Sequence, residues 1–131
     1  MFKVQNNCFE FNGNIVTVIE SRSICKVDSW DNITVNNKFF ELQYETQQFI
    51  LSHELGHIKH RHAHRSNIHH KLYRLQKMIG LAPYEEIQAD FHAVKLIGKA
   101  NALKAIDETI AFFNGAKELR IRRMFVKLFC K

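Results

Sequence analysis

Two histidines and a glutamate form the pattern H-E-x-x-H, at His53, Glu54 and His57, and this pattern is the clearest chemical signal in the chain. Side chains four residues apart lie on one face of a helix, so both imidazoles can bind one metal ion. Glu54 lies beside them without being a ligand, which suits a base that takes a proton from a metal-bound water. Because the chain is rich in histidine, an amphipathic helix with two surface histidines is the alternative. A metal site therefore needs a third ligand.

Glu86 is the preferred third ligand, because catalytic zinc usually has three protein ligands and one position open to water. The longer pattern H-E-x-x-H-x-x-G-x-x-H is absent, since Ala63 stands where its third histidine would be. Glu86 and Asp90 are four residues apart, so their carboxylates share a helical face. In this interpretation Glu86 binds the metal, and Asp90 accepts a hydrogen bond from the second ring nitrogen of a ligating histidine.

A histidine cluster after the motif leaves two alternatives open. One of its members could be the third ligand, or His60 could close the site as a fourth ligand, which is typical of structural zinc. The cluster comprises His60, His62, His64, His69 and His70. The sequence does not identify a group that stabilises an oxyanion. Tyr73, Tyr84 and His92 are candidates, although such residues are more often structural.

The stretch from 53 to 62, HELGHIKHRH, resembles the HELGH-x-x-x-RH signature of the HtpX/CAAX-prenyl-protease-like metallopeptidases. Residues 85–98 are similar to the acidic helix of that family, with the pattern E-x-E-A-D followed by A-x-x-L-L-G. The chain departs from the family in lacking its membrane helices. It also has Phe91 where an arginine commonly follows the aspartate.

Residues 33–36 and 48–57 also resemble the ImmA/IrrE proteins, which are small cytosolic zincins that inactivate repressors. Their short distance to the acidic helix matches the 29 positions from His57 to Glu86. Either resemblance implies a gluzincin with one zinc ion per chain. The implied ligands are His53, His57 and Glu86, and the implied general base is Glu54.

The length of 131 residues fits a single domain, residues 1–131, of α+β class. We expect a strand-rich part over 1–42 and a helical part over 44–130. No apolar run is long enough to span a membrane, and residues 1–7 do not read as a secretory signal. The cysteines, at positions 8, 25 and 130, form no C-x-x-C pair, which favours a reducing cytoplasm over a disulfide framework.

Hydrophobic spacing predicts a small sheet followed by five helices. The predicted strands are 14–19, 31–35 and 38–42, the last two forming a hairpin through Asn36 and Asn37. The predicted helices are 44–60, 69–79 with Gly80 as its end, 83–98, one with the stripe Leu103, Ile106, Ile110 and Phe113, and one with the stripe Leu119, Ile121, Phe125 and Leu128. We expect these stripes, and that of the second helix (Leu72, Leu75 and Ile79), to be core.

The net charge of +6 comes mostly from the segment 114–131. Its basic residues are Lys117, Arg120, Arg122, Arg123, Lys127 and Lys131, against one acid, Glu118. We interpret this segment as the solvated face of a terminal helix, because no nucleic-acid motif accompanies it. A patch for nucleic acid, anionic lipid or an acidic partner is the alternative.

The sequence thus predicts a small zinc endopeptidase that acts on a dedicated protein or peptide substrate. The strand at 38–42 would be an edge on which an extended peptide could lie. Three alternatives stay open: a regulatory protease that acts on a repressor, a non-catalytic binding protein stabilised by zinc, and a nucleic-acid-binding accessory protein.

Overall fold

The computed structural model describes residues 1–61, 67–78, 82–113 and 117–131, and it confirms the α+β class. Four short strands come first, and helices form the rest. The elements are β1 (Cys8–Phe11), β2 (Asn14–Val18), β3 (Cys25–Val27), β4 (Ile33–Val35), a 3₁₀ helix (Asn37–Glu41), α1 (Tyr44–Lys59), α2 (Asn67–Met78), α3 (Tyr84–Ile97), α4 (Lys99–Phe112) and α5 (Lys117–Phe129).

The sheet has the strand order β1-β2-β4-β3. Strands β1 and β2 form an antiparallel hairpin whose turn residues, Asn12 and Gly13, have φ angles of 48° and 78°. Positive φ at both positions is what a tight two-residue hairpin requires. Strand β4 runs parallel to β2 and antiparallel to β3. One face of this sheet packs against α1.

The predicted hairpin over 31–42 is wrong, because residues 37–41 form a 3₁₀ helix in place of a strand. A strand would place Phe39 and Leu42 on opposite faces, since side chains alternate along a strand. Both residues are buried, at 0% and 5% exposure, and residues three apart share a face in a 3₁₀ helix. The ring of Phe39 stacks on Phe9 of β1, with centroids 6.1 Å apart. No edge strand for a substrate exists at this position.

Among the described residues, helix α1 lies between two hydrophobic clusters. Leu51 is fully buried among sheet residues such as Val16 and Val35. Phe49 is buried on another side of α1, among residues of α3, α4 and α5 such as Ala93 and Ile106. The helix that carries the H-E-x-x-H pattern is therefore held on two sides, which fixes its rotation.

Two predicted apolar stripes are exposed in part. Leu72 and Leu75 of α2 are 51% and 48% exposed, and Leu128 of α5 is 64% exposed. The other members of the α5 stripe, Leu119, Ile121 and Phe125, are half-buried, and the fully buried residue of this helix is Val126, which the stripe did not include. The predicted end of α2, at residues 79–80, lies outside the described residues. Within the described ranges, no helix is long and apolar enough to cross a membrane.

Gly56 allows α1 and α3 to approach closely. A Cβ atom at this position would lie 2.8 Å from Cα of Ala89 and 3.1 Å from Cβ of His92. The nearest of these atoms is backbone, so a methyl group can fit only if the two helices move apart. The glycine thus sets the distance between the H-E-x-x-H helix and the acidic helix.

We expect Gly56→Ala to lower the free energy of unfolding by about 1–3 kcal/mol, which is the usual cost of overpacking. The sign of this change is the informative part, because replacing glycine with alanine within a helix normally raises the free energy of unfolding by about 1 kcal/mol. Urea unfolding measures the change. The control is Ala111→Gly on the exposed face of α4, which reports the helix preference alone. A Gly56→Ala protein at least as stable as the wild type would contradict the close packing.

Candidate metal centre

Helices α1 and α3 bring three donor side chains together. His53 and His57 come from α1, and Glu86 comes from the first turn of α3. The two Nε2 atoms are 3.0 Å apart, and Nε2 of His53 lies 2.9 Å from Oε2 of Glu86. Nε2 of His57 lies 3.5 Å from Oε1 of the same carboxylate. These side chains form the one cluster of potential metal ligands among the described residues.

The spacing of the donor atoms suits a tetrahedral metal ion. Bonds of about 2.0–2.1 Å from zinc to nitrogen or oxygen place neighbouring donors about 3.3 Å apart. The observed separations of 2.9–3.5 Å bracket that value. Two imidazoles and one carboxylate also form a ligand set that catalytic zinc uses. The residues present therefore fit a zinc ion without a rearrangement of the backbone.

Asp90 holds the imidazole of His53 in one tautomer. Its Oδ1 atom lies 2.7 Å from Nδ1 of His53, and its side chain is 1% exposed. When Nδ1 carries the proton, its N–H donates a hydrogen bond to Asp90. The lone pair of Nε2 then points towards His57 and Glu86. This is the orientation that a metal-ligating histidine requires.

Arg122 is the main site residue that the sequence analysis missed. Its Nε and Nη2 atoms each donate to Asp90 at 2.7 Å, and Nη1 lies 3.6 Å from Oε2 of Glu86. Its side chain is only 11% exposed, so its assignment to a solvated face is wrong. No sequence signal marked it, because the buried face of α5 becomes recognisable only in the structure, where Val126 is buried four residues after Arg122.

The buried charges of the cluster shift one another's pKa. Burial alone would lower the pKa of His53, but the Glu86 carboxylate and the hydrogen bond with Asp90 raise it to about 10. Burial opposes ionisation of Glu86, yet His53, His57 and Arg122 hold its pKa well below the usual range. A positive charge between these donors is therefore strongly favoured, and a metal ion would replace the proton there.

Glu54 lies between two cavities. The smaller one has a volume of about 220 Å³ and is called the polar cavity here; its lining consists of Val27, Asp31, Glu54, His57, His70, Tyr73, Glu85 and Glu86. The larger one has a volume of about 400 Å³ and also reaches His53 and Glu54. Burial raises the pKa of Glu54, against the opposing charge of His53. The carboxylate of Glu54 is thus bordered by both cavities.

The three residues considered for oxyanion stabilisation lie in different places. The hydroxyl of Tyr73 donates to Oε1 of Glu86 at 2.8 Å, at the edge of the polar cavity. Tyr84 is 62% exposed and lines a separate apolar groove with Phe125. Cβ of His92 lies close to Gly56 at the contact between α1 and α3, and His92 is not among the described residues that line the polar cavity. Tyr73 is therefore the candidate that borders the cluster.

The histidine cluster is only partly described. His70 lines the polar cavity, and His60 ends α1 as its C-cap. His62 and His64 lie outside the described residues, and so does the side chain of His69.

Two histidines four residues apart on one helix, with a glutamate between them, form a motif that metalloproteases use. The chain matches the family model Peptidase U49 over residues 19–126, which is most of its length, and it belongs to that family. No curated protein and no solved structure matches the chain. The match supports a peptidase, as predicted, but not the HtpX/CAAX-prenyl-protease-like or ImmA/IrrE types specifically.

Proposed function

We propose that the protein is a zinc endopeptidase that hydrolyses peptide bonds of a protein substrate. The observation that carries this proposal is the convergence of His53, His57 and Glu86 on one point beside Glu54. A zinc ion held there would polarise the scissile carbonyl and make water a stronger nucleophile. Membership of a peptidase family supports the same reaction.

The formal charge of the buried cluster favours a divalent cation. With Glu54, Glu86 and Asp90 ionised, Arg122 charged and both histidines neutral, as they would be when they bind a metal, the formal sum is −2. Buried charge is stable only when it is compensated. A divalent ion makes the cluster neutral, whereas a monovalent ion does not.

Each residue has a defined part in this proposal. His53, His57 and Glu86 would bind the metal, and Asp90 orients His53. Glu54 would take a proton from the attacking water and pass it to the leaving amine. Its pKa is raised by burial, which brings a carboxylate closer to the working pH of a general base.

The main rival is a non-catalytic protein that zinc only stabilises. A structural zinc is usually closed by four protein ligands. The access to Glu54 from two cavities favours the enzyme, because a structural site has no use for a carboxylate beside its ligands. The substrate and the cytoplasmic location stay predictions from the sequence, and binding of nucleic acid by the basic C-terminal helix stays an open alternative.

Metal analysis of the purified, untagged protein tests the proposal. We expect one zinc per chain. Its affinity should fall by more than about 100-fold in both His57→Ala and Glu86→Ala, since loss of a ligand exceeds the 10–100-fold effect of losing a residue that orients one. The matched control is His92→Ala, which removes a histidine of α3 that is not a ligand.

Two results would change the proposal. Full zinc affinity in Glu86→Ala would move the third ligand to the histidine cluster, and His60→Ala and His70→Ala would then identify it. A wild-type protein that takes up no zinc on reconstitution would contradict the zinc enzyme.

A further inference from the structure

The larger cavity beside Glu54 has apolar walls, and we call it the apolar pocket. Its volume is about 400 Å³, and it lies between α1, α4 and α5. The apolar walls are formed by Ile24, Phe49, Ile50, Phe113 and Leu119. His53 and Glu54 border it, so a group bound in the pocket would lie next to the proposed reaction centre.

The two cationic side chains that border the apolar pocket already have partners. Arg122 donates two hydrogen bonds to Asp90. Nζ of Lys77 lies 3.8 Å from Oε2 of Glu118 and 5.4 Å from the centroid of the Tyr73 ring. An acidic substrate side chain would therefore have to compete with existing ion pairs, whereas an apolar one would meet apolar surface.

Cys25 adds to the apolar character of the pocket. Burial raises the pKa of its thiol well above the usual value, with a smaller contribution from the nearby Glu54 carboxylate. A neutral buried thiol behaves as a small hydrophobe. The polar cavity, which also borders Glu54, is smaller at about 220 Å³, and its described lining contains one aliphatic residue, Val27. The apolar pocket, with about 400 Å³ and five apolar side chains in its wall, therefore has more room for a large apolar group.

We propose that the apolar pocket binds a large apolar side chain of the substrate, such as leucine, isoleucine, methionine or phenylalanine, at a position adjacent to the scissile bond. This inference rests on the proposed peptidase function, and it names the substrate class of that site. A pocket of this kind discriminates by the amount of apolar surface that it covers. The preference over alanine, serine or aspartate at that position is about 10–100-fold.

The first test is cleavage of a mixture of synthetic peptides by the zinc-loaded protein, with the new termini identified by mass spectrometry. We expect large apolar residues at one fixed position next to the cut. Thr109 lines the pocket from α4, and its hydroxyl bonds only to the carbonyl of Ala105 within its own helix. Thr109→Phe should fill the pocket and lower cleavage at large apolar residues by at least about 10-fold relative to alanine.

The matched control is Gln76→Phe, which adds a ring in the separate groove that Tyr84 and Phe125 line. It should leave the preference unchanged. The NMR spectrum of the backbone amides of each variant shows whether the fold is retained.

A second measurement does not depend on cleavage. N-acetyl-leucinamide and N-acetyl-aspartamide are titrated into the protein, and the amide signals of Thr109 and Leu119 are followed by NMR. We expect shifts with the leucine compound only, and none in Thr109→Phe.

The combined outcomes separate the two proposals. Cleavage without a side-chain preference, and no leucinamide binding, overturns the pocket while the peptidase stands. Leucinamide binding in a protein that cleaves no peptide supports the pocket and overturns the peptidase. Absence of both overturns both.

Discussion

Replacing Glu54 with glutamine is expected to abolish peptide cleavage and leave zinc binding intact. Glutamine keeps the shape of the side chain but cannot accept the proton of the attacking water. Loss of a general base typically costs 10²–10⁴-fold in rate. The measurement is the turnover of a cleaved peptide beside the zinc content of the same preparation. Because Glu54 is not a ligand in the proposal, turnover should fall while the zinc content stays at the wild-type level.

Glu45→Gln is the matched control for this change. Glu45 lies in the first turn of the same helix, two turns before His53, and the same chemical change there should leave turnover unaffected. A Glu54→Gln protein with full activity would contradict the mechanism. A protein that lost zinc as well would show that Glu54 contributes to binding the metal.

Replacing Arg122 with methionine is expected to lower the free energy of unfolding by about 3–5 kcal/mol, which is typical when one partner of a buried ion pair is removed. The substitution would leave the carboxylate of Asp90 buried and without its two charged hydrogen bonds. Urea unfolding in the presence of a chelator measures the effect without a contribution from bound metal.

The neighbouring arginine offers a close control. Arg123 donates to Asp107 at 2.6 and 3.3 Å, with similar bidentate geometry, but the Asp107 side chain is 54% exposed. Exposed pairs contribute about 0–1 kcal/mol, so Arg123→Met should have a small effect.

A double variant tests whether the two buried charges act as a pair. Adding Asp90→Asn to Arg122→Met should restore part of the lost stability, because residues in one hydrogen-bond network are not additive. Equal effects of Arg122→Met and Arg123→Met would contradict the assignment of Arg122 to a buried pair.

The parts of the site that the sequence predicted are those with short, regular spacing. His53 and His57 share a helical face because the helix has 3.6 residues per turn, and Glu86 and Asp90 share one for the same reason. The structure places both pairs together, and Gly56 shows why the glycine in HELGH matters. Without it, α1 and α3 could not approach closely enough for the donors to meet.

The parts that the sequence did not predict depend on contacts between distant segments. The sequence suggests that Arg122 is a surface residue, because five other basic residues lie in the same segment of the chain. Only the packing of α5 reveals its buried position. Phe39 and Phe40 read as a strand, yet the 3₁₀ helix forms because it buries Phe39 and Leu42 together. The parallel pairing of β2 and β4 is likewise a contact between distant segments, and no local signal marks it.

The dependence of the site on α5 also orders its assembly during translation. Asp90 contacts His53 across 37 positions, and Arg122 contacts Asp90 across a further 32. At 5–20 residues per second, the ribosome adds Arg122 roughly 2–6 s after Asp90. During that interval the nascent chain carries the histidines and both carboxylates but lacks the cation that neutralises Asp90. The charge-compensated cluster is therefore complete only after α5 has docked and Arg122 has reached Asp90.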